Sequence, residues 1–169
     1  MKRKNNMNDI CIRLTTPDDT NQIKELMDKY WGGEPLVVRA KKYYPSKLEG
    51  ILAVKKDEII GFLFFDAQSE SCEIIVFEVL KKFQGIGTKM LEKLKDISND
   101  KGCKRIFLMT NNDNLDALRF YQRRGFHICA IHVDSVKESR KLKPGIPMIG
   151  EHGIPLRDEI DLELLLNER

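Results

Sequence analysis

The 169-residue sequence has no long apolar run. The densest stretch, Ile59 to Phe65 (IIGFLFF), is interrupted by Gly61 and falls far short of the roughly 18–20 residues a membrane helix needs. Cysteine is sparse as well: Cys11, Cys72, Cys103 and Cys129 stand 61, 31 and 26 residues apart, which fits neither a CxxC or zinc spacing nor a disulfide-dense scaffold. A reduced, cytoplasmic protein is expected. The basic start, MKRKNNMNDI, lacks the apolar middle of a secretory signal, and residues 1–8 are expected to be flexible. With only 11 Gly and 6 Pro the chain is neither collagen-like nor a linker. Charge of one sign is lacking too: 29 basic residues face 26 acidic ones, for a net charge of +3. The basic groups Lys2-Arg3-Lys4, Lys41-Lys42 and Arg140-Lys141 with Lys143 are scattered, which argues against a nucleic-acid surface. What is present, 41% hydrophobic and 33% charged residues, suffices for one core, so residues 1–169 are expected to form a single domain.

Periodicity predicts the elements. Residues 9–15 read as a strand, and Thr16-Pro17-Asp18-Asp19 as a capped helix start followed by Ile23, Leu26, Met27 and Tyr30 at helical spacing. Between Trp31 and Glu49 the period is lost, which predicts an irregular or helical connector carrying Arg39, Lys41, Lys42, Tyr43 and Tyr44. Residues 50–55, 59–67 and 72–79 read as an antiparallel meander, and 85–100 as a helix with Ile86, Met90, Leu91, Leu94 and Ile97 on one face. A strand (105–110), a helix (115–124) and a strand (126–133) follow. Residues 142–157 are expected to form a long ordered loop, and 160–166 a last strand with one acidic face.

The strongest local feature is the strand that runs through Lys81-Lys82-Phe83-Gln84-Gly85-Ile86-Gly87-Thr88 into a helix. Glycines allow close backbone approach, and a helix start offers unpaired N–H groups, the requirements for holding a phosphate. It is not a P-loop, since GxxxxGK[ST] is absent, and Met90 stands where a dinucleotide fingerprint has its third glycine. The second feature is the stretch Asn114-Leu115-Asp116-Ala117-Leu118-Arg119-Phe120-Tyr121-Gln122-Arg123-Arg124-Gly125-Phe126. No GxSxG elbow is present. Strand parity puts His127 and His132 on opposite faces, which argues against a shared metal site, and likewise separates Glu73 from Glu78 unless a bulge intervenes.

Together the two features resemble the GNAT family of acyl-CoA-dependent N-acyltransferases, with motifs [QR]xxGx[GA] and NxxAxxFYxxxGF, and more narrowly a bacterial subgroup of it. Asn114, Ala117, Phe120, Tyr121, Gly125 and Phe126 match the second motif. Lys82 to Gly87 match the first with Lys82 in the Gln/Arg position, while an alternative register puts Gln84 there. The resemblance implies an α/β (α+β) fold: a mixed, mostly antiparallel central sheet, splayed between its fourth and fifth strands and flanked by helices. It also implies acetyl-CoA as co-substrate, with no metal, and direct attack by a primary amine of a small molecule or peptide. Phe77 and Val79 would pair with pantetheine amides. Lys82, Gln84, Gly85, Ile86, Gly87 and Thr88 would hold the pyrophosphate, and Asn114 would line the cofactor arm.

Tyr121 would be the acid for the departing thiolate, with Glu73 as first choice for the base and Glu78 or solvent as alternatives. Arg39 would orient an anionic or zwitterionic acceptor under the loop at 145–155. A homodimer is compatible with the family. A catalytically silent acyl-CoA-binding module of the same fold is the alternative reading.

Overall fold

The computed structural model describes residues 9–39, 41–81 and 84–166. The expectations for residues 1–8 and for Lys82 lie outside them. Three consecutive strands build the centre: β4 (Glu49–Lys55), β5 (Glu58–Gln68) and β6 (Ser71–Val79). The IIGFLFF run is continuous because β5 is covered on both faces. Ile60, Leu63 and Phe65 join one core cluster, while Ile59, Phe62 and Phe64 join the other.

The remaining strands extend this meander. β1 (Ile10–Leu14) pairs with β4. On the far side, α2 (Ile86–Asp100) crosses from β6 to β7 (Arg105–Asn111), and α3 (Leu115–Gln122) leads to β8 (His127–His132). The acidic last strand, β9 (Glu159–Leu165), inserts between β7 and β8. Helix α1 (Thr20–Trp31) packs on the face opposite α2, where Ile23 and Met27 are buried. The sheet order is β1-β4-β5-β6-β7-β9-β8, with β6 and β7 parallel and the other neighbours antiparallel. Residues 71–74 of β6 pair with 105–108 of β7, and beyond them the two strands separate. They are the fourth and fifth strands of the sheet, where the splay is expected.

Three expectations change. The connector after Trp31 contains a β-hairpin, β2 (Leu36–Val38) with β3 (Lys41–Tyr43), rather than an irregular or helical segment. Three-residue strands are too short to display a period, but Leu36, Val38 and Tyr43 are buried against the sheet. A short helix, α4 (Val136–Leu142), precedes the long loop and carries too few apolar residues to announce itself. The loop itself folds back, with Gly150 N–H donating to Ile154 O at 2.8 Å and Leu156 N–H to Met148 O at 2.9 Å.

The third change concerns parity, because two bulges reverse it. One in β8, between Ile128 and Ala130, brings both His127 and His132 to carboxylates on the same face of β9, Glu163 at 3.2 Å and Asp161 at 2.8 Å. The other, in β6, leaves Ile75 as the extra residue and returns Glu73 and Glu78 to a common face.

The start of α1 is set by Asp19. A 3-10 turn, Pro17–Asp19, leads into the helix, and the Asp19 carboxylate accepts from Thr16 N–H at 2.7 Å and from both Arg13 terminal nitrogens at 2.7 and 2.8 Å. The Arg13 hydrogen bonds outweigh burial and hold the Asp19 carboxyl at about 2. A depressed carboxyl stabilises the fold fully above its unfolded pKa near 4, and that contribution fades as pH falls towards 2. Asp19→Asn is therefore expected to cost about 1–2 kcal/mol at pH 7, discounted for the partly exposed Arg13. In thermal melts its gap from the parent protein should close as pH approaches 2.

Candidate active site

The turn after β6 delivers the chain to α2 with Gly85 in the left-handed region, at φ 71°, as N-cap. A Cβ at Gly85 would meet nothing within 4 Å, so glycine serves the dihedral here. At Gly87 the constraint is spatial, since a Cβ would press on the Phe120 ring at 3.1 Å. The first helical bond runs from Lys89 N–H to Gly85 O at 3.1 Å, which leaves the N–H groups of Ile86, Gly87 and Thr88 without helical partners. These residues, with Gly85, border a cavity of about 400 Å³.

Helix α3 forms the opposite wall. At its C-terminal end Arg124 lies 3.7 Å from the Phe120 ring centroid and donates to Thr88 Oγ1 at 2.6 Å, tying α3 to α2. Arg119 and Arg123 line the same cavity. At its N-terminal end the Asn114 side chain caps the helix by accepting from Ala117 N–H at 3.0 Å, and it also lines the cavity. The third wall is β6, through Phe77, Glu78 and Val79, beyond the point where the ladder to β7 ends. A smaller cavity of about 60 Å³ lies in the gap itself, between Ile74 and Ile75 on one side and Leu108, Met109 and Thr110 on the other.

Tyr121 lines both cavities. It is 5% exposed, packed against Phe77, Phe120 and Phe126, and its hydroxyl makes no hydrogen bond among the described residues. Burial, reinforced by the charge of Glu78, raises its pKa well above that of an ordinary phenol, so the hydroxyl keeps its proton.

Glu73 and Arg39 are placed elsewhere. One Glu73 oxygen accepts from Arg39 Nε and the other from Tyr43 OH, both at 3.0 Å, beneath the β2–β3 hairpin. Arg39 also donates to Asp161 at 2.7 Å and lies over the Phe107 ring. Burial opposes its charge, but the bonds to Asp161 and Glu73 prevail and raise its pKa. Two internal carboxylates thus already compensate the charge of Arg39, the residue expected to orient an anionic acceptor. Neither residue lines either cavity, and neither does Gln84. Phe77, Val79, Gly85, Ile86, Gly87, Thr88, Asn114 and Tyr121 do meet in one place.

Other lining residues escaped the sequence reading: Trp31, Arg119, Arg123, Arg124 and Glu151. The Arg119-x-x-x-Arg123-Arg124 spacing, which clusters charge on the end of one helix, is a signal that could have found three of them. Glu151 had none, because its position depends on two remote pins. Lys143 Nζ donates to Trp31 O and Gly33 O at 3.2 and 3.3 Å, and the buried Asp113 carboxylate accepts from Glu151 N–H at 2.7 Å. The segment between them thus straps the end of α1 to the start of α3. Among the described residues no group of three or more metal-ligating side chains occurs, and no helix is long and apolar enough to cross a membrane.

Comparison with known proteins agrees with this geometry. Residues 20–126 match the model of the Acetyltransferase (GNAT) family. The chain is 34% identical over 139 residues to the uncharacterized protein YxbD of Bacillus subtilis (strain 168), covering 82% of this chain and 87% of that protein. It is 35% identical over 141 residues to YdhI of the same organism, covering 83% and 88%. A GNAT family acetyltransferase from Elizabethkingia anophelis, solved with acetyl-CoA bound, superposes with a TM-score of 0.67 at 28% identity, over 94% of this chain and 99% of that one. A splayed sheet, a glycine-capped helix start and a buried tyrosine thus coincide with a family match over most of the structured chain, and the protein belongs to the GNAT acetyltransferase family.

Proposed function

We propose that the chain moves an acetyl group from acetyl-CoA to a primary amine by direct attack. The observation that carries this reading is the junction of three features in one cavity: the unpaired end of β6, the free N–H groups at the start of α2, and the protonated Tyr121 hydroxyl. Acetyl-CoA in the Elizabethkingia relative supports the choice of co-substrate. The backbone at Phe77 and Val79 extends the sheet by pairing with the pantetheine amides. The N–H groups at 86–88 and the positive end of α2 take the pyrophosphate, and Arg119, Arg123 and Arg124 supply counter-charge. Lys82 and Gln84, just before the turn, belong to the same phosphate-binding stretch. Asn114 borders the pantetheine arm.

In the reaction the amine lone pair attacks the thioester carbonyl carbon, forming the C–N bond. The C–S bond then breaks, and the thiolate takes the Tyr121 proton. The proton lost by the amine goes to a carboxylate or to water. Of the two carboxylates, Glu78 borders the cavity and Glu73 does not. In this reading Glu73 anchors the hairpin that roofs the acceptor side. Holding amine and thioester together supplies much of the rate.

Gly87→Ala is expected to push the Phe120 ring and weaken coenzyme A binding by about 1 kcal/mol, roughly fivefold in Kd by calorimetry. Unchanged affinity would remove the assignment of this turn. Tyr121→Phe should lower kcat by about 10²-fold or more with coenzyme affinity retained. Because the Tyr121 pKa is raised, no fall in kcat from its ionisation is expected up to about pH 10. Glu78→Gln should lower kcat with coenzyme affinity retained, whereas Glu73→Gln should mainly lower the melting temperature. Coenzyme binding without turnover on a broad amine panel would instead identify a silent acyl-CoA-binding module.

A further inference from the structure

The large cavity is electrostatically divided along α3. At the C-terminal end of the helix stand Arg119, Arg123 and Arg124, beside the α2 start. At its N-terminal end stand Asp116, which pairs with Arg119 at 3.2 Å, and Glu151, with Trp31 also in the wall and Glu78 across on β6. Lys143 is also near that end, but its ammonium is directed at the carbonyls that close α1. The carboxylates Glu73, Asp161 and Glu163 behind the sheet are matched by Arg39, His132, Arg105 and His127.

Glu151 is held with unusual care for an exposed residue. Asp113, itself 7% exposed, accepts from its N–H, and Gly150 sits so close that a Cβ would collide with the Asp113 carboxylate. The Glu151 carboxylate makes no hydrogen bond or ion pair of its own among the described residues. A second observation points into the same space: the buried Tyr121 lines the cavity and its hydroxyl has no partner among the described residues.

Resting on the acetyl-transfer reading above, we propose that the acceptor is a small aliphatic diamine or polyamine. One amine, neutral, attacks the thioester, while a second, still protonated, is held by the Glu151 carboxylate against the Trp31 indole. The transfer balances as before: one C–N bond forms, one C–S bond breaks, the amine loses a proton and the thiolate gains one. The second ammonium takes no part in the bond changes and sets the orientation of the first. A carboxylate in its place would meet Glu151, which turns this wall against acidic amines.

The test measures thiol release with acetyl-CoA and 1,4-diaminobutane, spermidine, n-butylamine or 4-aminobutyrate, with products confirmed by mass. The expected result is kcat/KM about tenfold or more higher for 1,4-diaminobutane and spermidine than for n-butylamine, with 4-aminobutyrate poorest. Glu151→Gln should bring the diamine-to-monoamine ratio within about twofold of unity, chiefly through KM, and Glu151→Asp should restore part of it. Gly150→Ala, which displaces Glu151 without removing it, should raise the KM for the diamine, with thermal melts reporting whether the variant remains folded. Equal rates on butylamine and the diamines, preference for 4-aminobutyrate, turnover confined to peptides, or a ratio unaltered in Glu151→Gln would each overturn the proposal while leaving acetyl transfer standing. Coenzyme A binding with no amine turned over would overturn acetyl transfer itself, and this proposal with it.

Discussion

Strands β6 and β7 share a ladder only from Ser71 to Ile74 and from Arg105 to Leu108, and then diverge. Past that point β7 continues its pairing with β9 as far as Asn111, while the end of β6 keeps β5 on one side and loses its neighbour on the other. Backbone N–H and C=O groups away from water demand partners, so a sheet that stops pairing in its middle creates a site for an extended, amide-bearing ligand. The cavity, the placement of α2 and α3 across it, and the position of Tyr121 all follow from this gap. Had the ladder continued, Phe77 and Val79 would face a neighbouring strand and the space between α2 and α3 would be closed.

The charges are sorted around that gap by what each can reach. On the hairpin side, Tyr43, Glu73, Arg39, Asp161 and His132 form a chain of hydrogen bonds in which the carboxylates are matched from within the protein. Such a network fixes the hairpin on the sheet and offers little net charge to a ligand. Within the cavity, by contrast, Arg119, Arg123 and Arg124 gather towards one end of α3, and Glu151 and Asp116, the latter paired with Arg119, stand at the other. An anionic coenzyme and a cationic acceptor would therefore approach opposite ends of the same short helix.

The tight local features were legible in the sequence. Gly85-Ile86-Gly87 before a helical period, and Asn114, Ala117, Phe120 and Tyr121 at fixed spacing, gave the helix start, the cap and the aromatic wall, because those depend on residues a few positions apart. The acidic strand β9 and the buried meander were readable from period-2 and continuous apolar patterns. A three-residue strand such as β2 has no period to read, and α4 has no apolar stripe.

Side-chain direction and remote contact were beyond reach of any pattern. A single extra residue at Ile75 puts Glu73 and Glu78 on one face, and another in β8 does the same for His127 and His132. A bulge depends on how two strands meet, so alternation along one strand cannot disclose it. Arg39 looked like a free cation in a polar connector until the fold brought Glu73 and Asp161, 34 and 122 residues away, to its guanidinium. Glu151 looked like loop surface until Asp113 and Lys143 carried its strap to the cavity. Local chain chemistry thus settled the glycine turn before α2 and the α3 motif, whereas long-range pairing and packing settled which charges are matched within the protein, because Coulomb and hydrogen-bond energies depend on distance in space and not on separation along the chain.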